Sequence, residues 1–136
     1  MRPPEEVKRD LVRQWLAKAD EDLNAAKTLL SLDTAFFSTI GFHCQQAAEK
    51  YLKAFLTWRQ IEFPKTHDLS LLLGLISPAA PSLAESLEEV VELTSYGVEI
   101  RYPGDIPEVT REDAAEAVHL AEKVREAIQG ILVTED

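Results

Sequence analysis

The side chains best suited to chemistry in this sequence gather in one helical stretch and two short motifs downstream of it. The stretch HCQQAAEKYLKAFL, from His43 to Leu56, offers Gln46, Glu49, Lys50 and Lys53 within about two turns. Amide donors and acceptors beside two ammonium groups suit a phosphate or a carboxylate. Glu49 and Lys53 stand four residues apart in the favourable order, a pairing worth about 0.2–0.5 kcal/mol on an open helix face. His67, beside Asp68, sits where a short helix should begin with Thr66 as its N-cap. An imidazole there can act as a general base or as a metal ligand. No second histidine or cysteine lies at ligand spacing, so neither a metal nor a cofactor is expected. Arg101 belongs to IRYPGD, where a cation, an aromatic ring and an acid flank a Pro103-Gly104 turn of type II character. Such loops often carry contacts, although Tyr102 could equally anchor this one in the core. No glycine-rich phosphate loop and no Ser-His-Asp arrangement is present.

These residues depend on helices for their placement. At about 100° per residue, Ile40, Cys44, Ala47, Ala48, Tyr51, Leu52, Phe55 and Leu56 cover more than half of the helix that carries the stretch. A helix so widely apolar is central to a bundle. Its polar stripe therefore reaches solvent through a groove or faces another chain. Two polar residues also fall inside apolar stripes. Gln45 sits beside Leu52 and Leu56, and Asp22 lies among Leu11, Trp15, Ala26 and Leu29. A carboxylate inside a bundle is costly unless it is partnered, so Asp22 needs a donor from Arg101, His67 or the second helix. His119 falls on a solvated face.

Five helical segments and no strand are expected. The first spans residues 6–30, with Leu11, Val12, Trp15, Leu16, Ala19, Leu23, Ala26, Leu29 and Leu30 inward. The second spans 34–59, with Gly41 inside it as a point of close helix packing. A short helix covers 67–75. A fourth covers 82–96, with Leu83, Leu87, Val90, Val91 and Thr94 inward and Gly97 as its stop. Residues 98–109 form a loop. Thr110 and Asp113 have the spacing of a capping box for a last helix reaching about residue 132. The architecture is an all-α, up-and-down four-helix bundle with an additional short helix, in a single domain over residues 1–136.

Composition narrows the function. A formal net charge of −10 argues against a general nucleic-acid binder, because phosphate neutralisation needs a basic surface. RNA would have to meet a local patch, and the acidity fits solubility or a basic partner. The lone cysteine, Cys44, excludes an internal disulfide and belongs to the apolar arc, where burial makes a thiol unreactive. No signal peptide is visible, and no apolar run approaches the ~20 residues of a membrane span. A cytoplasmic protein is the simplest expectation.

In order, Trp15…Ala19…Asp22-Leu23…Ala26, FHCQQAAEKYLKAFL, His67-Asp68-Leu69…Leu72 and Arg101-Tyr102-Pro103 resemble the HEPN domain (higher eukaryotes and prokaryotes nucleotide-binding). QQAAEKYLKA is the most specific piece, and Ile100 stands where the family often has alanine. The resemblance implies a helical bundle, commonly a homodimer, often paired with a small nucleotidyltransferase in a two-gene system of toxin–antitoxin type. It also implies, for many members, metal-independent ribonuclease activity from an arginine followed by a histidine after four to six residues. That motif is absent here: seven residues separate Arg59 from His67, and seven separate Arg111 from His119. The expected function is accordingly a nucleotide-, RNA- or partner-binding module that uses Gln46, Glu49, Lys50, Lys53, His67 and Arg101. The alternative is a ribonuclease in which His67 acts with Arg59 or Arg101.

Overall fold

The structure, a computed structural model, describes residues 4–97 and 108–135. Arg101, Tyr102 and the Pro103-Gly104 turn lie outside the described residues. Among those described there is no strand, and the chain is an all-α helical bundle. Its elements are α1 (Pro4–Ser31), α2 (Phe37–Trp58), α3 (Leu69–Ile76), α4 (Pro81–Ser86), a 3-10 helix (Glu88–Gly97) and α5 (Arg111–Glu135).

Helix α2 is the axis of the bundle. Thirteen of its 22 residues are buried, and α1, α5, α3 and the 3-10 helix all pack on it. Helix α1 meets it along Ala19, Leu23 and Ala26, the three- and four-residue spacing of one apolar face. Leu11, assigned to that face by its spacing, is instead 45% exposed, and its neighbour Val12 is buried. Helix α5 opens on the expected capping box: the Asp113 N–H donates to Thr110 Oγ1 (3.1 Å), and the Thr110 N–H donates to Asp113 Oδ2 (3.0 Å).

The C-terminus of α2 turns the chain back over α2 itself. Gln60 adopts a left-handed conformation (φ 57°). The Ile61 N–H then reaches Leu56 O (2.9 Å) and the Gln60 N–H reaches Thr57 O (3.1 Å), the paired bonds of a Schellman cap. Ile61 and Phe63 pack against the core, so the connection is held down where it runs toward α3. That helix is capped by Asp68, whose carboxylate accepts from the Ser70 and Leu71 N–H groups. Thr66 is not the N-cap; its hydroxyl accepts from the Asp68 N–H (3.1 Å).

The expected helix over 82–96 is two elements. Pro81 starts α4, which ends at Ser86, and the chain continues in 3-10 winding. Leu87, Val90 and Leu93 are buried, and Tyr96 continues the series. A spacing of three aligns them on one edge of a helix with three residues per turn. The Tyr96 ring lies against Gly41 so closely that a Cβ there would stand 2.5 Å from it. This is the close packing the glycine allows.

Candidate functional site: two carboxylate–imidazole pairs on α2

The returning connection brings His67 over the polar side of α2. Glu49, with a side chain only 4% exposed, accepts from three groups. These are Lys53 Nζ (2.9 Å), Gln45 Nε2 (3.1 Å) and His67 Nδ1 (2.7 Å). A buried carboxylate tolerates desolvation when it is both paired and hydrogen-bonded in this way. Gln45, wholly buried, also donates to His67 O (3.0 Å) and accepts from Gln46 Nε2 (2.7 Å), so its amide is satisfied on both sides. Lys53 is buried too. Its ammonium lies 5.6 Å from the Trp15 ring centroid and 5.8 Å from that of Phe63, and the two rings meet edge to face. Cation–π attraction and the Glu49 carboxylate together replace its water.

The His67 ring itself is open, with 62% of its side chain exposed. With Nδ1 directed to Glu49, Nε2 is the nitrogen presented outward. An imidazole oriented by a buried carboxylate can donate to or accept from a ligand, or move a proton.

A second pair lies on the α1 side. Asp22 receives His43 Nδ1 (2.9 Å) and Lys50 Nζ (2.5 Å). Its donors therefore come from α2, while His67 serves Glu49. His43 and Lys50 share a face of α2, seven residues apart. Side-chain exposures of 14–29% for Asp22, Lys50 and His43 leave the group partly open. Gln46, also partly exposed, falls between the two pairs on the helix. Nearby, Tyr51 donates to Asp20; burial, and then this bond, push the phenol's pKa well above its ordinary value. Cys44 is fully buried, and its thiol is pushed up to about 12, first by desolvation and then by Glu122 and Asp22.

The expected residues thus divide. Gln46, Lys50 and His67 remain accessible. Glu49 and Lys53 are interior and committed to each other. Gln45 and Asp22 are partnered as their positions demanded. His43 and the Trp15–Phe63 wall were not singled out by pattern; the one signal for His43 was its seven-residue spacing to Lys50, opposite the Asp22 stripe.

Residues 12–131 match the sequence profile of the family described as "HEPN domain". The chain belongs to the HEPN family. A Methanocaldococcus jannaschii protein named "Putative toxin MJ1304" is 29% identical over 132 residues, covering 87% of this chain and 86% of that protein. The solved crystal structure of TT1696 from Thermus thermophilus is also similar, at 29% identity. It superposes with a TM-score of 0.71, covering 88% of this chain and 96% of the other.

In this HEPN domain Arg111 and His119, of the longer seven-residue spacing, stand apart on α5. Arg59, the C-cap of α2, holds its guanidinium 5.6 Å from the Phe55 ring centroid, and His67 is anchored on Glu49. Arg111 stacks on Phe37 and donates to Leu30 O, about 12 Å along α5 from the exposed His119. No group of three or more metal-ligating side chains occurs among the described residues, and none of their helices is long and apolar enough to cross a membrane.

Proposed function

We propose that this HEPN domain is a nucleotide-, RNA- or partner-binding module that works with a small nucleotidyltransferase in a toxin–antitoxin-like pair. The observation that carries the reading is the exposed His67 imidazole, fixed on the buried Glu49 beside Gln46 and Lys50. These are hydrogen-bonding and cationic groups of the kind that receive a phosphate or a carboxylate. The toxin in the name of the M. jannaschii relative supports the pairing. Arg101 joins the same contact set as a proposal from its sequence position. A homodimer is part of the reading, supported by Val7 and Leu11, which leave apolar surface on α1 at 39% and 45% exposure.

Titration of nucleotides and short RNA, and sizing with a co-expressed nucleotidyltransferase, test the module in wild type and in Lys50→Ala/His67→Ala. Loss of either association in the double variant supports it. Unchanged association with every partner removes this surface.

The Glu49–His67 contact favours one second reading, a metal-independent ribonuclease with His67 as acid or base. Incubation with RNA in EDTA distinguishes it. Cleavage lost in His67→Ala would establish the enzyme, and intact RNA favours the binding module.

A further inference from the structure

A second place for a ligand opens toward the C-terminal end of α2. A cleft of about 380 Å³ lies between α1, the end of α2 and the end of α5, a size typical of small-molecule sites. Val12, Leu16, Leu132 and the Trp58 indole give it apolar walls, and Arg9 and Arg13 line it from α1. Four residues apart, the two arginines are neighbours on one helix face. A third cation is held at the same indole: Lys8 Nζ sits 4.3 Å from the Trp58 ring centroid. Arg9 and Arg13 thus line a cleft whose indole wall also carries the Lys8 ammonium, in a chain whose formal net charge is −10.

Two neighbouring acids pair with cations of this face. Glu5 pairs with Lys8 at 3.3 Å and Asp10 with Arg13 at 3.1 Å. Both pairs are i,i+3 contacts with one open member, Glu5 at 68% exposure against 15% for Lys8 and Arg13 at 75% against 31% for Asp10. Solvent screens such pairs, and they exchange readily for a stronger partner. A phosphate is that partner, since its oxygens match the planar fork of a guanidinium. An apolar cleft with an indole wall suits a flat ring. Aromatic stacking beside backbone-tracking cations is how proteins hold a base without reading its sequence.

We propose that this cleft binds a phosphate-bearing nucleobase, either a mononucleotide or the phosphorylated end of an RNA strand. The inference rests on the nucleotide-or-RNA reading above and gives it a separate contact. Trp58 is nine residues beyond Glu49, about 13 Å along α2.

The test is equilibrium binding to the full chain, by calorimetry, of AMP, adenosine, and short RNA with and without a 5′-phosphate. The variants are Arg9→Glu/Arg13→Glu and Lys50→Ala/His67→Ala, with helicity checked by circular dichroism. Phosphorylated probes should bind at least tenfold more tightly than their unphosphorylated counterparts, and the arginine reversal should weaken them at least tenfold. Whether AMP or the phosphorylated RNA binds better identifies the source of the base. Trp58→Leu should also weaken binding, but it removes packing, so the arginine pair carries the decision. Binding unchanged by the arginine reversal and lost in Lys50→Ala/His67→Ala overturns this inference and leaves the proposed function standing. No binding of any probe overturns this inference and the nucleotide-or-RNA part of the proposed function.

Discussion

Lys53→Met tests whether the interior of the polar stripe is a coupled, desolvated unit. The lysine and Glu49 side chains are 8% and 4% exposed, with their charged atoms 2.9 Å apart. Breaking a buried ion pair by removing one partner costs about 3–5 kcal/mol, because the other charge is stranded. Two features reduce that here. Glu49 keeps Gln45 and His67 as partners, and methionine refills most of the lysine stem between Trp15 and Phe63. The expected loss is about 2–4 kcal/mol, or roughly 10 °C in Tm for a chain of this length. Urea denaturation followed by circular dichroism measures it, with the m-value unchanged if the fold is kept. Glu49→Gln/Lys53→Met should recover most of the loss, since the new amide can still accept from Gln45 and no charge is stranded. A loss under about 1 kcal/mol in the single variant, or a double variant no better than the single, would refute the reasoning.

Four further outcomes are expected. Gly41→Ala should destabilise by about 1–2 kcal/mol in urea, because overpacking against Tyr96 outweighs the ~1 kcal/mol gain in helix propensity; Tyr96→Leu in the same background should restore part of it. Gln60→Gly should stabilise by up to about 1 kcal/mol in the same assay, since glycine enters the left-handed cap without a Cβ penalty. Cys44, buried and with its thiol pushed up to about 12, should resist a thiol reagent at pH 8 and react only at the rate of unfolding. Lys123, whose hydrogen bond and charge hold Glu89 below its usual range, gives a contribution present above the ordinary glutamate pKa and lost as pH falls through the depressed value. Lys123→Ala should therefore move the Glu89 carboxyl titration upward in NMR.

The three long helices were legible because a 3.6-residue apolar period runs along each of them, with a capping box to mark the start of α5. The region over 82–96 was not, since Leu87, Val90, Leu93 and Tyr96 suit 3-10 winding as well as one face of an α-helix. Contact with α2, Tyr96 on Gly41 above all, is where the tighter form fits. At the site, Asp22 and Gln45 stood out because polar groups inside an apolar stripe require partners. The burial of Glu49 and Lys53 was illegible for a different reason. A helical wheel cannot know that a left-handed Gln60 folds residues 61–67 back across the stripe, or that Trp15 and Phe63 wall in the ammonium.

The burial of α2 bears on what likeness in this segment can mean. From Ile40 to Leu56, only Phe42, His43, Gln46 and Lys50 are not fully interior. Nearly every other side chain there is answerable to a neighbour, so substitutions at those positions are constrained by fit before any ligand is considered. A sequence signature drawn from such a helix works as a fingerprint of the interior. It can identify a HEPN fold in a protein that cleaves, one that binds and one that only pairs, and the differences among them should be written in the four partly open positions and in the segments that pass over them.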